Sequence, residues 1–256
     1  MAMHYVFILG TAGSGKSTLT AAFKDWLNQH DVYAISVNLD PGVAWLPYGP
    51  EVDARDYISF EKVMKEAGLG PNGALIACTD LLVNYVREIK EEIKSFNPDY
   101  VLVDTPGQVE LFAFRETGPR IISVLRGERT SLLFLIDAMY ASKPSLFASS
   151  LLLSASIFYR FQVPQLNVLS KIDLLSSAER EKIDRWLDDP HSLYGSVLAE
   201  KTEPYTLFTE SVCDLLINLE AVIDTVFISS TTGEGLDNLY AQLQRMLAGG
   251  EDYVTY

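Results

Sequence analysis

Six short runs of apolar, β-prone residues punctuate the chain, at Tyr5–Leu9, Val32–Val37, Tyr100–Val103, Ser131–Ile136, Gln165–Leu169 and Thr225–Ile228. Between them the apolar positions change to helical spacing: Leu19, Phe23, Trp26 and Leu27 follow the first run, and Leu236, Leu239, Leu243 and Met246 follow the last. Such alternation implies right-handed crossovers and a mostly parallel sheet covered on both faces. Sheets of this kind bind ligands beyond the carboxyl ends of their strands.

The gaps between the runs are also informative. Val37 and Tyr100 are too far apart for a hairpin, and a long helical stretch, Ala74–Phe96, lies between them, so the second strand is expected to run parallel to its neighbours. The segment 40–73 carries prolines at 41, 47 and 50 and reads as a long functional loop. Ser176-Ser177-Ala178-Glu179 is a capping box that opens an insertion, 176–223, of two or three helices. Residues 1–248 are taken as one domain and 249–256 as a frayed tail. Leu146 to Phe161 is apolar on nearly all sides, which predicts a helix buried all round or covered by a second subunit. It is shorter than the ~20 residues a membrane span needs.

Polar motifs stand at the ends of these strands. Gly10-Thr11-Ala12-Gly13-Ser14-Gly15-Lys16-Ser17 fits the phosphate-loop pattern between a strand and a helix. Its backbone N–H groups, those of Gly13, Ser14, Gly15 and Thr18 among them, would converge on a di- or triphosphate with help from the helix dipole. Lys16 would reach the β/γ-phosphates and Ser17 would ligate Mg²⁺. The fold class that follows is a three-layer αβα P-loop NTPase with a mostly parallel central sheet and a helical insertion.

Asp104-Thr105-Pro106-Gly107-Gln108 ends the third run and would set a carboxylate near the Mg²⁺, through a water, with Gln108 placed to orient an attacking water. Ser170-Lys171-Ile172-Asp173 is similar to the N-K-x-D element of GTPases. Asp173 offers a carboxylate to the two donors on the guanine edge, and Lys171 would lie over the ring. Ser170 departs from the usual Asn, and its shorter side chain would tie this loop to the phosphate loop less firmly. Ser229–Gly235 follows the last strand as a small-residue loop, with Ser230 and Thr231 placed to meet the guanine O6 through backbone N–H. Together these favour GTP and GDP over adenine nucleotides.

Gly70-Pro71-Asn72, Asn38-Leu39-Asp40-Pro41-Gly42, Asp53-Ala54-Arg55-Asp56 and Pro106-Gly107-Gln108-Val109-Glu110-Leu111 resemble the signature of the GPN-loop GTPases, from Tyr5 to about Leu247. The archaeal-type members of that family are homodimers in which the GPN loop of one subunit reaches the nucleotide site of the other. The resemblance implies that Asn72 acts across the interface and that Asp40 holds or activates the catalytic water. It also implies that Gln108 and Glu110 position that water and the switch, and that Asp53 and Asp56 belong to the first switch. Partners implied in the same way are a second copy and a protein complex such as RNA polymerase or its assembly factors.

The net charge of −14 argues against a nucleic-acid backbone as main partner. Cys78 and Cys213 lack metal-like spacing, and with only His4, His30 and His191 there is no ligand cluster for a metal-delivery GTPase. Separated thiols suit a reducing cytoplasm. The apolar start is one strand long and runs into the phosphate loop, so no signal peptide is expected. A P-loop kinase that passes the γ-phosphoryl group to a small-molecule or nucleic-acid hydroxyl would share the cradle. It would need an acceptor pocket and closing arginines, whereas Arg115, Arg120, Arg126 and Arg129 read as helix surface charges.

Overall fold

The computed structural model describes residues 3–127, 129–200, 210–212, 214–215 and 224–252. Seven strands form one sheet: β1 (His4–Gly10), β2 (Ala34–Asn38), β3 (Val52–Asp53), β4 (Tyr100–Asp104), β5 (Arg129–Asp137), β6 (Gln165–Ser170) and β7 (Thr225–Phe227). They lie in the order β3-β2-β4-β1-β5-β6-β7, and each neighbouring pair is parallel. β2 therefore runs parallel beside β4, as its distance from the third apolar run requires.

The strands are apolar throughout because both faces are buried. Along β1, Tyr5, Phe7 and Leu9 enter one core with Phe112, Ile121 and Phe147. Val6 and Ile8 enter a second core with Leu19, Phe23, Leu239 and Leu243. Side chains alternate across a strand, so two cores on opposite faces make a three-layer arrangement. Helix α1 (Lys16–Gln29) and the last described helix, Leu236–Asp252, cover the second face.

The segment between β2 and β4 is more ordered than a loop. After residues 39–51 it forms β3 and then α2 (Ala54–Tyr57) and α3 (Phe60–Glu66). β3 pairs with β2 through only Val37↔Val52 and Asn38↔Asp53, too short for a period to mark it in sequence. The helical stretch that follows is two helices, α4 (Pro71–Leu82) and α5 (Val86–Phe96). The break carries tighter i→i+3 bonds, from Asn84 N–H to Leu81 and from Tyr85 N–H to Leu82. Asn is a poor interior helix residue, and α5 restarts with its own buried face of Val86, Ile89 and Ile93.

Past β4 come α6 (Val109–Ala113), α7 (Thr117–Leu125), α8 (Ala138–Ala141) and α9 (Pro144–Phe161). α9 is not buried all round: Phe147, Ala148, Ser154 and Ile157 face the core, whereas Leu146 and Tyr159 are exposed. Ser149 and Ser156 are exposed on its other side, so only one side is dry. The capping box forms as the sequence predicts, with Ser176 and Glu179 exchanging hydrogen bonds at the start of α10 (Ser177–Asp188). α11 (Pro190–Glu200) follows, and Ile183, Trp186, Leu193 and Val197 from these two helices join the first core. Much of 201–223, with Cys213, lies outside the described residues, while Cys78 is buried in α4. The last helix continues through Gly249 to Asp252, beyond the point where the sequence suggested a frayed tail.

Candidate functional site

β1, β4, β5 and β6 are neighbours, and the phosphate loop, the Asp104–Gln108 turn and the Ser170–Asp173 loop leave the carboxyl ends of β1, β4 and β6, with Asp40 following β2 and Ser229–Gly235 following β7 beside them. The Gly10–Ser17 loop links the central strand β1 to α1. Gly15, at φ 95°, holds the left-handed conformation that caps the helix and that a side chain would strain. α1 has neither a side-chain cap nor an acidic residue in its first turn, so the N–H groups of Lys16, Ser17 and Thr18 have no partner from their own helix. A helix start of this kind can receive an anion. Gly13, Gly15, Lys16, Ser17 and Thr18 line a cavity of about 410 Å³ together with Asp40, Asp104, Gly107 and Lys171.

Lys16 is buried, and its Nζ donates to the carbonyls of Gly10 (3.0 Å) and Thr11 (3.1 Å), with Gly107 O at 3.4 Å. Burial pulls its pKa below the usual lysine value, while the Asp104 and Asp40 carboxylates oppose that shift. Ser14 Oγ is buried without a partner.

Asp104 closes the floor of the cavity. It is 2% exposed, and burial pushes its pKa up to about 6, against the pull of the Ser17 and Tyr48 hydroxyls and Lys16. Tyr48 Oη donates to Asp104 Oδ2 at 2.9 Å, while Oδ1 is buried and unpartnered. A carboxylate oxygen left dry beside a serine hydroxyl and the phosphate loop suits a Mg²⁺-bound water, so the residues present fit that ion. Asp40, from the loop after β2, accepts from Gly42 N–H at Oδ1 (2.9 Å) and from Gly107 N–H at Oδ2 (3.0 Å). Asn38 positions it: its Oδ1 accepts from Asp40 N–H, and its Nδ2 donates to Asp53 Oδ1 (2.9 Å). Burial would raise the Asp53 carboxyl, but hydrogen bonds from Arg55 and Asn38 outweigh it and hold the pKa below the usual range. Asp53 thus shapes the loop from outside the cavity, and Asp56 is exposed.

The loop after β6 sits on the phosphate loop. Ser170 Oγ donates to Ser14 O at 2.7 Å, so the shorter side chain still links this loop to the phosphate loop. β6 brings residue 170 close enough for a hydroxyl to span the gap. Lys171, itself at φ 62°, sends Nζ to Gly13 O (2.6 Å) and Asp137 Oδ2 (2.7 Å). Asp173 accepts from Ser229 Oγ at 2.6 Å. The side chain that meets Asp173 is therefore Ser229, with Ser230 and Thr231 following it on the same turn. Gly235 turns this loop into the last helix at φ 81°, where a Cβ would stand 2.0 Å from Phe227 O.

A family model described as "Conserved hypothetical ATP binding protein" matches residues 8–249. A GPN-loop GTPase of Pyrococcus abyssi is 34% identical over 91% of this chain and 93% of its own length. The chain belongs to the GPN-loop GTPase family. GPN-loop GTPase 1 of Dictyostelium discoideum is 30% identical over 98% of this chain, which spans 62% of that protein's length. The fold agrees: the crystal structure of a Pyrococcus abyssi GTPase in apo form superposes with a TM-score of 0.83 at 32% identity, covering 94% of this chain and 96% of that one.

In this GPN-loop GTPase the signature segment is the start of a helix rather than a loop. Gly70 is the N-cap of α4 and Pro71 its first residue, the position where a missing N–H costs nothing. Asn72 is exposed in that first turn and is not among the residues lining the phosphate cavity. Gln108 and Glu110 are exposed at the start of α6, one as its N-cap and one in its first turn, and neither lines that cavity. The cations on the cavity wall are Lys16 and Lys171. Arg115 points elsewhere, paired with Asp80 at 2.6 Å.

Two side chains at the site escaped the sequence reading. Asp137 ends β5 as Asp104 ends β4, and an apolar strand closing on aspartate was the available signal. Tyr48 gave less to read: it is a lone aromatic between Pro47 and Gly49, where turn residues dominate.

Proposed function

We propose that this chain is a Mg²⁺-dependent GTPase that works as a homodimer, each subunit completing the site of the other with Asn72. The observation that carries the reading is the separation of the signature from its own site. The phosphate loop, Asp40 and Asp104 share one cavity, while Asn72 stands exposed outside it. A second copy is the simplest way to bring it to a phosphate.

In this reading the N–H groups of residues 13–18 and Lys16 hold the phosphates. Ser17 and Asp104, the latter through Oδ1, would hold the Mg²⁺. When bound, that ion would offset the negative charge that develops on the phosphate oxygens. Asp40 orients the attacking water, with Gln108 and Glu110 moving in with α6 as Gly107 follows the γ-phosphate. Asp173 reads guanine, Ser230 and Thr231 present N–H groups to its O6, and Lys171 covers the ring. Loss of the γ-phosphate would free Gly107 and, through Asp40, the loop 39–51, which gives GTP and GDP forms of different shape. Such a switch suits assembly or transport of a partner protein complex in the cytoplasm.

Phosphate release from GTP and from ATP, each with Mg²⁺ and with chelator, tests the reaction. The reading requires hydrolysis of GTP in preference to ATP, only with Mg²⁺ and without an added acceptor. Equal use of ATP, or release only when a hydroxyl acceptor is supplied, would overturn it.

A further inference from the structure

We infer that Tyr48 is a positioning residue for Asp104, fixing which carboxylate oxygen faces the Mg²⁺ site and tying the loop 39–51 to that site. The inference rests on the proposed placement of Mg²⁺ between Ser17 and Asp104.

Three observations carry it. The Tyr48 phenol donates to Asp104 Oδ2 at 2.9 Å. The other oxygen, Oδ1, is buried and has no partner. A buried carboxylate with two dry oxygens can rotate between equivalent states, and a donor on one of them selects a single state. Tyr48 makes that selection and leaves Oδ1 as the acceptor for a metal-bound water.

The third observation concerns the loop. Asp40 near its start is bonded to Gly107 N–H at 3.0 Å, and Tyr48 near its end is bonded to Asp104. The two ends thus grip the two ends of the same Asp104–Gly107 segment. Just beyond, Glu51 is held by Ser36 N–H (2.7 Å) and Ser36 Oγ (3.0 Å) on β2, and it pairs with Lys24 of α1. Arg55 Nη1 donates to Val43 O (3.2 Å) in the middle. Of these anchors only the Tyr48 phenol touches the carboxylate assigned to the metal. It is therefore the contact through which Mg²⁺ can order the loop.

The test uses full-length protein and fluorescent methylanthraniloyl-GDP, with Mg²⁺ titrated against nucleotide release. Three proteins are compared: wild type, Tyr48→Phe and Asp104→Asn. Tyr48→Phe keeps the ring and removes only the hydroxyl. Loss of one hydrogen bond to a charged group is expected to raise the half-saturating Mg²⁺ concentration about tenfold. GDP affinity in chelator should stay at the wild-type value, because a defect in loop folding would lower it and a lost metal-side contact would not. Excess Mg²⁺ should restore wild-type release. As a second readout, exposed Trp45 lies in the same loop, and its iodide quenching should fall on Mg²⁺ addition in wild type but not in Tyr48→Phe, with Trp26 and Trp186 replaced by Phe in both.

If Asp104→Asn weakens Mg²⁺ but Tyr48→Phe titrates like wild type, the role of Tyr48 is refuted and the metal placement stands. If Asp104→Asn also titrates like wild type, the placement of Mg²⁺ fails and the inference falls with it.

Discussion

Asp40 Oδ2 accepts the backbone N–H of Gly107 at 3.0 Å, joining the loop after β2 to the turn after β4. Gly107 is also the carbonyl nearest Lys16 Nζ on that turn, at 3.4 Å. One carboxylate thus sits between the phosphate loop and the start of α6, where Gln108 and Glu110 are carried.

Asp40→Asn should therefore damage catalysis more than binding. An amide has one acceptor oxygen where Asp40 uses two, for Gly42 and for Gly107. It also cannot take a proton from water. Losing an interaction made in the transition state typically costs on the order of 10²–10³ in rate, while GTP affinity should change far less. Single-turnover hydrolysis alongside equilibrium binding checks the split. Equal losses in both would assign Asp40 to ground-state binding.

Asp173→Asn should shift preference from GTP toward XTP, because the amide presents the donor that xanthine's extra carbonyl requires. Ser229 Oγ already fixes one oxygen of Asp173 at 2.6 Å, so the side chain is oriented before the base arrives. Competition binding with GTP, XTP and ATP decides the point. Wild-type protein that binds ATP as well as GTP would defeat the guanine assignment.

Buried Asp104 gives the nucleotide-free protein a pH signature. Burial raises its pKa from 3.8 to about 6. Between those values the folded state binds the proton more tightly than the unfolded state, so this group's stability contribution is full below pH 4 and lost as pH rises through 6. His4 slopes the opposite way. Burial, helped by Arg129, lowers it from 6.5 to about 4, so stability falls as pH drops through that window. The two nearly cancel in wild type, and a difference measurement separates them. Asp104→Asn should be more stable than wild type by on the order of 2–3 kcal/mol at pH 7, with the gap closing by pH 4. Denaturant unfolding at several pH values checks it. A gap independent of pH would rule out the ionised carboxylate as its source.

Lys16→Ala should abolish tight nucleotide binding and leave the fold intact. Its Nζ contacts are carbonyls of its own loop and Gly107, and removing a buried ammonium also removes its desolvation cost. A thermal midpoint within a few degrees of wild type is expected, since about 1 kcal/mol moves a chain of this size by only ~2–4 °C. Unchanged GTP affinity would contradict the phosphate role of the loop.

Six of the strands, their parallel direction and the loop that joins β1 to α1 were legible because burial on both faces leaves long apolar runs and because the loop motif is contiguous. The region 40–73 was not. β3 is two residues long, and α2 and α3 are held by caps, Asp53 on Arg55 N–H and Ser59 on Lys62 N–H, rather than by a long periodic face. Motif residues could be named, yet which atoms meet depends on tertiary approach. Ser170 reaches Ser14 O, and Ser229 meets Asp173, because β6 and β7 fix where those turns begin. Tyr48 was hidden for the same reason: its partner is brought to it by β4, far away in sequence.

The cross-subunit role of Asn72 is most directly tested by single-turnover GTP hydrolysis in mixed dimers. Asn72→Ala and Gln108→Ala subunits would be purified with different tags and combined. Each parent homodimer lacks one required group in both sites and should be slowed by on the order of 10²–10³. The mixed dimer has one site with an intact Gln108 facing an intact Asn72, so it should recover about half the wild-type rate per dimer. A mixed dimer that assembles yet stays as slow as its parents would contradict the account, as would an Asn72→Ala homodimer that hydrolyses GTP at the wild-type rate.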